Sequence, residues 1–191
     1  MNEIFSKIKE IKERQEKLIV AIDGFGGAGK SSLARSLESA LGEAKHIEFD
    51  WYHFPRDQIR NDSRFDSHRF KHEVVEPFKA NTARIQIGKY NWGYLAEKPE
   101  EIKPDSIDLV GISCLLVEGV MTLSKELSDL TDLKIWVGTD AEECRKRGMN
   151  RDIHEYGLKE KNVIPAWKEW AEMEDRCLLI DDRRKRADIV I

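Results

Sequence analysis

The fold is decided by residues 18–32, which read Leu-Ile-Val-Ala-Ile-Asp-Gly-Phe-Gly-Gly-Ala-Gly-Lys-Ser-Ser. The apolar first half predicts a buried strand, and Gly24, Gly29, Lys30 and Ser31 match the G-x-x-x-x-G-K-[ST] pattern without a mismatch. A glycine-rich loop between a strand and a helix points backbone N–H groups at phosphate oxygens, and the helix start adds partial positive charge. The stretch therefore predicts a loop that binds the phosphates of a nucleoside triphosphate.

Each part of this loop has an expected contact. Lys30 is long enough to reach the β- and γ-phosphates, and the Ser31 hydroxyl is a typical ligand of Mg²⁺. Asp23 precedes the loop, and we expect it to fix the loop by hydrogen bonding rather than to bind metal. The predicted nucleotide-binding residues are Gly24, Phe25, Gly26, Gly27, Ala28, Gly29, Lys30, Ser31 and Ser32.

The composition narrows the choice of partner and compartment. The chain has 191 residues and a formal net charge of −4, which gives no general attraction to nucleic acid or to anionic membranes. Cys114, Cys144 and Cys177 lack metal-ligand spacing and predict reduced thiols in a cytoplasmic protein. No apolar run is long enough to span a membrane, and no secretory signal is visible. We expect one domain, residues 1–191, with a small-molecule partner; a homo-oligomer stays open.

Predicted strands and helices alternate along the chain. Helical spacing of apolar residues predicts helices over residues 1–16, 30–41, 65–79, 142–155 and 164–178. Short apolar runs predict strands over residues 18–23, 46–50, 109–117, 133–137 and 187–191. This alternation is typical of an α/β fold with a parallel sheet covered by helices on both faces. The polar residues 54–66 predict a loop within a substrate-side excursion over about residues 52–105.

A phosphate-binding loop is compatible with three classes: a small-molecule kinase, a GTP-dependent switch, and a motor or transporter ATPase. The guanine-reading Asn-Lys-x-Asp of a switch does not occur in the sequence, and residues 108–111 match its Asp-x-x-Gly only at a level that is common by chance. A motor ATPase needs an acidic pair after its second nucleotide-binding strand and a longer chain. The small size therefore favours a kinase.

Further motifs follow in an order that is typical of one kinase family. They are Ile22-Asp-Gly-Phe-Gly-Gly-Ala-Gly-Lys-Ser-Ser, Phe49-Asp-Trp-Tyr-His, Phe65-Asp, Tyr90-Asn-Trp, Leu116-Val-Glu-Gly, Ile135-Trp-Val, Arg147 through Arg151-Asp152, Trp167 and Ala187-Asp-Ile-Val-Ile. Over nearly its whole length the chain resembles the uridine kinase-like P-loop nucleoside kinases. The resemblance implies a three-layer P-loop fold with a five-stranded parallel sheet and a mobile arginine-bearing lid at about residues 145–162. It also implies ATP, with Mg²⁺, as the phosphoryl donor to a hydroxyl of a nucleoside-like acceptor.

Two acids are expected at the carboxyl edge of the sheet, where ligands of such folds bind. Asp50 can take the proton of an attacking hydroxyl and help to hold Mg²⁺, and Glu118 matches the family's acid that holds Mg²⁺; an ordinary loop role is the alternative for each. The family usually has its aspartate where this chain has Phe49. Either Asp50 takes over that role, which we favour, or catalysis is altered. The predicted metal ligands are Ser31, Glu118 and Asp50.

The predicted lid contains Arg147 and Arg151, which share one face of a helix. Two guanidinium groups there would neutralise charge on the transferring phosphoryl group; surface pairing with Glu143 and Glu155 is the alternative. Family lids usually continue with more arginines, where this chain has Tyr-Gly-Leu at residues 156–158. The predicted catalytic residues are Lys30, Asp50, Arg147 and Arg151.

The acceptor site is expected to be aromatic. A pocket that stacks a flat group is predicted from four residues, with core packing as the alternative for each: Tyr52, His53, Tyr90 and Trp92. The family's Asp-His-Pro-Asp segment is replaced by Arg-Asn-Asp-Ser at residues 60–63, and Leu95 lies near the position of an expected histidine. The acceptor therefore stays open between a nucleoside, pantothenate and a sugar, and the alternative function is a non-catalytic nucleotide-binding regulator.

Two other groups of residues have simpler interpretations. His68 and His72 lie four positions apart on a predicted helix, but without a third ligand a solvent-facing pair is favoured over a metal site. The basic run Arg-Arg-Lys-Arg at residues 183–186 is flanked by acids and predicts a solvated turn, which could lie close to the adenine end of ATP.

Overall fold

The structure, a computed structural model, describes residues 1–55, 58–59, 64–92 and 101–191. Its centre is a five-stranded parallel sheet of strand order β2-β5-β1-β6-β7, and β3 and β4 form a separate antiparallel pair. The strands are β1 Leu18–Gly24, β2 Ala44–Glu48, β3 Arg84–Asn91, β4 Glu101–Asp108, β5 Cys114–Glu118, β6 Leu133–Val137 and β7 Ile189–Val190. The predicted α/β class and the five-stranded parallel sheet are confirmed.

Helices connect these strands. They are α1 Asn2–Lys12, α2 Lys30–Leu41, α3 Ser67–Phe70, α4 Glu76–Lys79, α5 Lys125–Ser128, α6 Ala141–His154 and α7 Glu160–Ile180. A wider π-helical turn, Lys71–Val75, joins α3 to α4, so residues 67–79 run as one helix. Two short 3₁₀ turns, Phe49–Tyr52 and Arg183–Arg186, follow β2 and precede β7.

The sheet is buried on both faces. Alternate residues of β1 point to opposite sides: Leu18 and Val20 join a core with Ile8 of α1 and Leu37 of α2. Ile19 joins a second core on the other face, which contains Phe49, Phe70, Val74 and Phe78. Every residue of β1 is buried. Burial on both sides explains why this strand is uniformly apolar.

Several predicted boundaries were wrong by a few residues. The second strand ends at Glu48, because Phe49 and Asp50 turn into the 3₁₀ segment instead of extending the strand. The helix predicted from residue 65 begins at Ser67, where the Asp66 carboxylate accepts the N–H of Arg69 as an N-terminal cap. The strand predicted from residue 109 begins at Cys114.

The antiparallel pair β3–β4 was not predicted. Side chains alternate in β3, where Ile85, Ile87 and Tyr90 are buried, but most of β4 is exposed and contains Pro104. The pair is attached to the helix that begins at α3 through Gly88: the Arg69 guanidinium donates to its carbonyl at 3.1 Å, and the Glu73 carboxylate accepts its N–H at 2.9 Å. The pair lies within the predicted excursion, while residues 60–63 and Leu95 lie outside the described residues.

The structure also describes the histidine pair, the basic run and the helices. His68 and His72 are both exposed, as expected, and within the described ranges no cluster of three or more histidine, cysteine or acidic side chains could hold a metal ion. The solvated turn over residues 183–186 was wrong for Arg183, which is 1% exposed. No helix in the described part of the chain is long and apolar enough to cross a bilayer.

Candidate active site

A cleft of about 780 Å³ opens at the carboxyl ends of β1, β2 and β5. Ligands bind at this edge of open parallel sheets, so its position fits the expectation from sequence. Its walls come from the glycine-rich loop, the acids that follow β2 and β5, and helices α6 and α7. Its lining includes Gly26, Gly27, Lys30, Ser31, Glu48, Asp50, Trp92, Glu118, Arg147, Arg151, Asp152, Trp167 and Trp170.

The glycine-rich loop forms one end of the cleft. Ala28 is buried in the core, and Phe25 packs its ring on Trp136 at 5.9 Å. Gly27 has φ of 86°, and a Cβ there would clash with the carbonyl of Cys144 on α6, so only glycine fits under this helix. The loop residues that line the cleft are Gly26, Gly27, Gly29, Lys30, Ser31 and Ser32.

Asp23 holds the loop to the rest of the molecule. Its fully buried carboxylate accepts N–H bonds from Gly24 at 2.7 Å, Met121 at 3.2 Å and Leu123 at 2.9 Å. The Arg183 guanidinium also donates to it at 3.1 Å. The expectation that Asp23 fixes the loop is confirmed, and the same bonds explain why Arg183 is buried.

Lys30 and Ser31 begin α2 beside the end of β5. The Lys30 ammonium donates to the Phe25 carbonyl at 2.9 Å, and the Ser31 hydroxyl donates to the Glu118 carboxylate at 2.8 Å. Burial favours the neutral form of Glu118, but the His46 ring, the Lys30 charge and the Ser31 hydroxyl outweigh it and hold the pKa of Glu118 below its usual value. Glu118 is therefore a carboxylate at neutral pH.

Asp50 stands in the 3₁₀ turn directly after β2. Its Oδ1 is buried and has no hydrogen-bond partner among the described residues, and it lies against Gly119, where a Cβ would come within 3.0 Å. Burial, followed by the charges of Glu118 and Glu48, raises the pKa of Asp50 to about 7, against the opposing effect of Lys30. A buried carboxylate oxygen that lacks a donor is a candidate for a proton or a cation.

These groups are suited to the Mg²⁺ ion of a magnesium–nucleotide complex. Mg²⁺ usually takes one or two carboxylates, with phosphate oxygens and water completing its coordination. The Ser31 hydroxyl is hydrogen-bonded to the Glu118 carboxylate beside the loop, and Asp50 lines the same cleft. Oxygen donors of this kind are suited to such an ion.

Two arginines of α6, Arg147 and Arg151, line the cleft and are also paired. Arg147 donates to Glu143 at 2.8 Å, which is one of the ion pairs expected as an alternative, whereas Arg151 donates to the neighbouring Asp152 at 2.7 and 2.9 Å. Asp152 is buried and also accepts the indole N–H of Trp167 at 2.7 Å. Arg145 points away and pairs with Asp175.

The predicted acceptor residues separate into two groups. Tyr52 is fully buried and packs on Phe49 and Phe70, so the core-packing alternative describes it and its assignment to the acceptor site is corrected. The other three form an aromatic cluster, in which the ring centroid of His53 lies 4.5 Å from that of Trp92 and 5.0 Å from that of Tyr90. Of these three residues, Trp92 lines the cleft.

Sequence reasoning missed the contribution of α7. Trp170 extends the aromatic cluster, with its ring centroid 5.7 Å from that of Trp92, and Trp167 lines the cleft beside it. Glu174 is 1% exposed and accepts the Gly26 N–H at 2.7 Å. The spacing of residues 167, 170 and 174 along one helix face was the available signal.

The strand-loop-helix with its lysine and serine, the acids after β2 and β5 and the arginines of α6 together define a P-loop phosphotransferase. The chain belongs to the phosphoribulokinase / uridine kinase family, whose model matches residues 19–191. The family is a family of kinases and implies the use of ATP.

Individual relatives agree with this membership. The uridine kinase of Saccharomyces cerevisiae is 26% identical over 187 residues, which cover 91% of this chain and 36% of the yeast protein. The uridine kinase of Streptococcus agalactiae (strain NEM316) is 25% identical over 191 residues, covering 93% of this chain and 88% of the bacterial protein. The chain thus spans about a third of the yeast relative but most of the streptococcal one.

A solved structure described as a possible uridine kinase from Bacillus stearothermophilus superposes with a TM-score of 0.65. It is 17% identical, and the match covers 99% of both chains. At this identity the similarity shows the fold and does not identify the acceptor.

Proposed function

We propose that the protein is an ATP-dependent kinase that transfers the γ-phosphoryl group to a hydroxyl of a nucleoside-like acceptor. One observation carries this proposal: Asp50, whose Oδ1 has no hydrogen-bond partner among the described residues, lines the same cleft as the glycine-rich loop and Trp92. A base there can serve an acceptor that rests on the aromatic side chains while the loop holds the donor. The family and the relatives support the kinase activity; the acceptor is inferred from the cleft.

In the proposed reaction the acceptor hydroxyl oxygen bonds to the γ-phosphorus, and the bond between that phosphorus and the β–γ bridging oxygen breaks. Asp50 takes the hydroxyl proton as the general base. Lys30 contacts the β- and γ-phosphates. Ser31, Glu118 and Asp50 would hold Mg²⁺, which neutralises phosphate charge when bound.

Arg147 and Arg151 line the cleft and provide positive charge there. Asp152 orients Arg151, because its carboxylate accepts two hydrogen bonds from the Arg151 guanidinium. The same carboxylate also accepts the indole N–H of Trp167. We propose that residues 145–162 act as the lid, and that its closure excludes water from the transferred phosphoryl group. The two guanidinium groups then stabilise charge that develops in the transition state.

The acceptor is inferred to be flat because the cleft offers it indole rings. The cleft is lined by Trp92, Trp167 and Trp170, of which Trp167 and Trp170 also lie against Gly26 of the loop. His53 and Tyr90 pack against Trp92. Such rings stack on planar groups, which favours a nucleoside-like acceptor over pantothenate. A sugar can also stack on an indole ring, so sugars are included in the test below.

The decisive experiment is an acceptor screen. ADP release from MgATP is measured with nucleosides, nicotinamide riboside, pantothenate and sugars, each against the no-acceptor rate. We expect at least one nucleoside-like compound to raise the rate by well over tenfold. Stimulation by pantothenate or a sugar alone would overturn the nucleoside assignment. Tight ATP binding without stimulation by any acceptor would favour a nucleotide-binding regulator and would end the kinase proposal.

A further inference from the structure

The N–H groups of the glycine-rich loop fall into two sets. Three of them already have protein partners: Gly24 donates to Asp23, Gly26 to Glu174 at 2.7 Å, and Ala28 to the Phe25 carbonyl at 3.0 Å. Of the rest, the five that line the cleft have no hydrogen-bond partner for their N–H within the described part of the chain: Gly27, Gly29, Lys30, Ser31 and Ser32. The second set is therefore available to phosphate oxygens, whereas the first set determines the shape of the loop.

Of the three groups that accept these bonds, the Glu174 carboxylate is the one that comes from a distant helix. It lies 148 positions after Gly26 in the sequence, on the face of α7 that packs on the loop. That face is tight, since a Cβ on Gly26 would come within 3.1 Å of the Trp170 indole nitrogen. The buried Glu174 carboxyl thus closes the contact between α7 and the loop.

The surroundings of Glu174 indicate that its carboxyl group has a specific role as a hydrogen-bond acceptor. Burial raises the pKa of Glu174, against the opposing effects of the Gly26 N–H, the Lys30 charge and the Arg183 charge. A carboxyl group in such a place costs free energy unless its donors are held firmly. An apolar side chain of the same length would fill the volume without that cost but would leave the Gly26 N–H without an acceptor.

We propose that Glu174 is a positioning residue for the nucleotide: it accepts the Gly26 N–H and so holds the loop in the shape that leaves the N–H groups of residues 27 and 29–32 free for phosphate. This inference rests on the proposed function, because it assumes that the loop binds a nucleotide. Trp170, one turn before Glu174 on α7, also lies against Gly26 and packs on Trp92, so this face of α7 joins the loop to the aromatic cluster.

The first test compares three variants by calorimetric titration with MgADP and MgATP, without an acceptor. Glu174→Met keeps the length of the side chain but removes the acceptor, and we expect the Kd for nucleotide to rise about tenfold, the usual scale for an unsatisfied buried N–H. Glu174→Gln keeps an acceptor oxygen and should stay within about threefold of the native Kd. Glu172→Met, the same change at an exposed position of α7, should leave the Kd unchanged.

A folded Glu174→Met protein with a native Kd would overturn the proposal, and so would a loss in Glu174→Gln as large as that in Glu174→Met. The second test needs no variant and stays decisive if Glu174→Met fails to fold. Amide hydrogen exchange of the native protein should show Gly26 protected before nucleotide is added, and Gly27 and Gly29 protected only after MgADP is added. Equal, fast exchange of Gly26 and Gly27 in the nucleotide-free protein would also overturn it.

The two proposals fail in different ways. If the native protein binds neither MgADP nor MgATP, the proposed kinase function is wrong, whatever the exchange rate of Gly26. If nucleotide binds with native strength to a folded Glu174→Met protein, the kinase proposal stands and only the role of Glu174 is lost.

Discussion

The Ser31 hydroxyl donates a hydrogen bond to the Glu118 carboxylate at 2.8 Å and so joins the first turn of α2 to the end of β5. Two chain segments that lie 87 positions apart in the sequence thereby meet at the edge of the cleft. In the proposed function the same two side chains share a magnesium ion.

Replacement of Ser31 by alanine should therefore reduce turnover and raise the Mg²⁺ concentration needed for half-maximal rate, each by about tenfold or more. The matched control is Ser36→Ala, five positions further along α2, where the exposed hydroxyl donates to the Ser32 carbonyl. Magnesium titrations of the steady-state rate would check both variants. Equal Mg²⁺ dependence in the Ser31 variant and the native protein would remove Ser31 from the metal site.

Asp50→Asn should keep nucleotide binding and lower kcat by about 10²–10⁴-fold, since it removes the proposed general base. Asp108→Asn, at an exposed position at the end of β4, serves as the control and should be fully active. Steady-state kinetics with the acceptor found in the screen, together with MgADP titration, separates the two effects. Native turnover in the Asp50 variant would exclude Asp50 as the base.

The raised pKa of Asp50 also predicts how stability depends on pH. The unfolded side chain ionises near 3.8 and the folded one near 7. Between these values the folded protein binds more protons, so the contribution of Asp50 to stability falls as pH rises through that window and stays low above it.

The asparagine side chain in Asp50→Asn does not titrate, so this pH-dependent contribution to stability is absent from the variant. Relative to the native protein, the variant should be more stable at pH 8 than at pH 5 by about 2 kcal/mol. Urea unfolding at the two pH values, without nucleotide or Mg²⁺, measures this difference, and other titrating groups cancel in the comparison. A pH-independent difference would mean that Asp50 ionises as it does in the unfolded chain.

Arg151→Met should lower kcat by about 10²-fold with little change in the KM for ATP, because its charge is expected to act on the transition state. Arg145→Met is the control from the same helix, since Arg145 points to Asp175 and away from the cleft. Initial rates over a matrix of ATP and acceptor concentrations give both constants. A larger effect in the Arg145 variant would contradict the assigned orientation of α6.

The parts of the fold that could be predicted are those set by local patterns. Residues 18–32 contain strand, loop and helix start in one run, and β1 is apolar throughout because both sheet faces are covered. The pair β3–β4 was missed because its alternation is weak: β4 is mostly exposed, and Pro104 argues against a strand. Pairing partners also lie up to 24 positions apart across the described register, from Arg84 to Asp108.

The missed parts of the site depend on contacts between distant segments. Arg183 is buried because it meets Asp23, 160 positions earlier in the sequence, and Glu174 matters because it meets a backbone N–H that no side-chain pattern reveals. By contrast, Lys30, Ser31 and Glu118 stand next to recognisable strand or loop motifs, and the structure brings them together.

The attachment of β3–β4 suggests how specificity could change during evolution. Tyr90 and Trp92 are supplied by β3 and the residue after it, while the phosphate-binding parts are supplied by the parallel sheet. The antiparallel pair is fastened through Gly88 to two side chains, those of Arg69 and Glu73. If the aromatic cluster selects the acceptor as proposed, a chimaera that exchanges the β3–β4 pair between relatives would accept a different substrate and keep the residues for phosphoryl transfer.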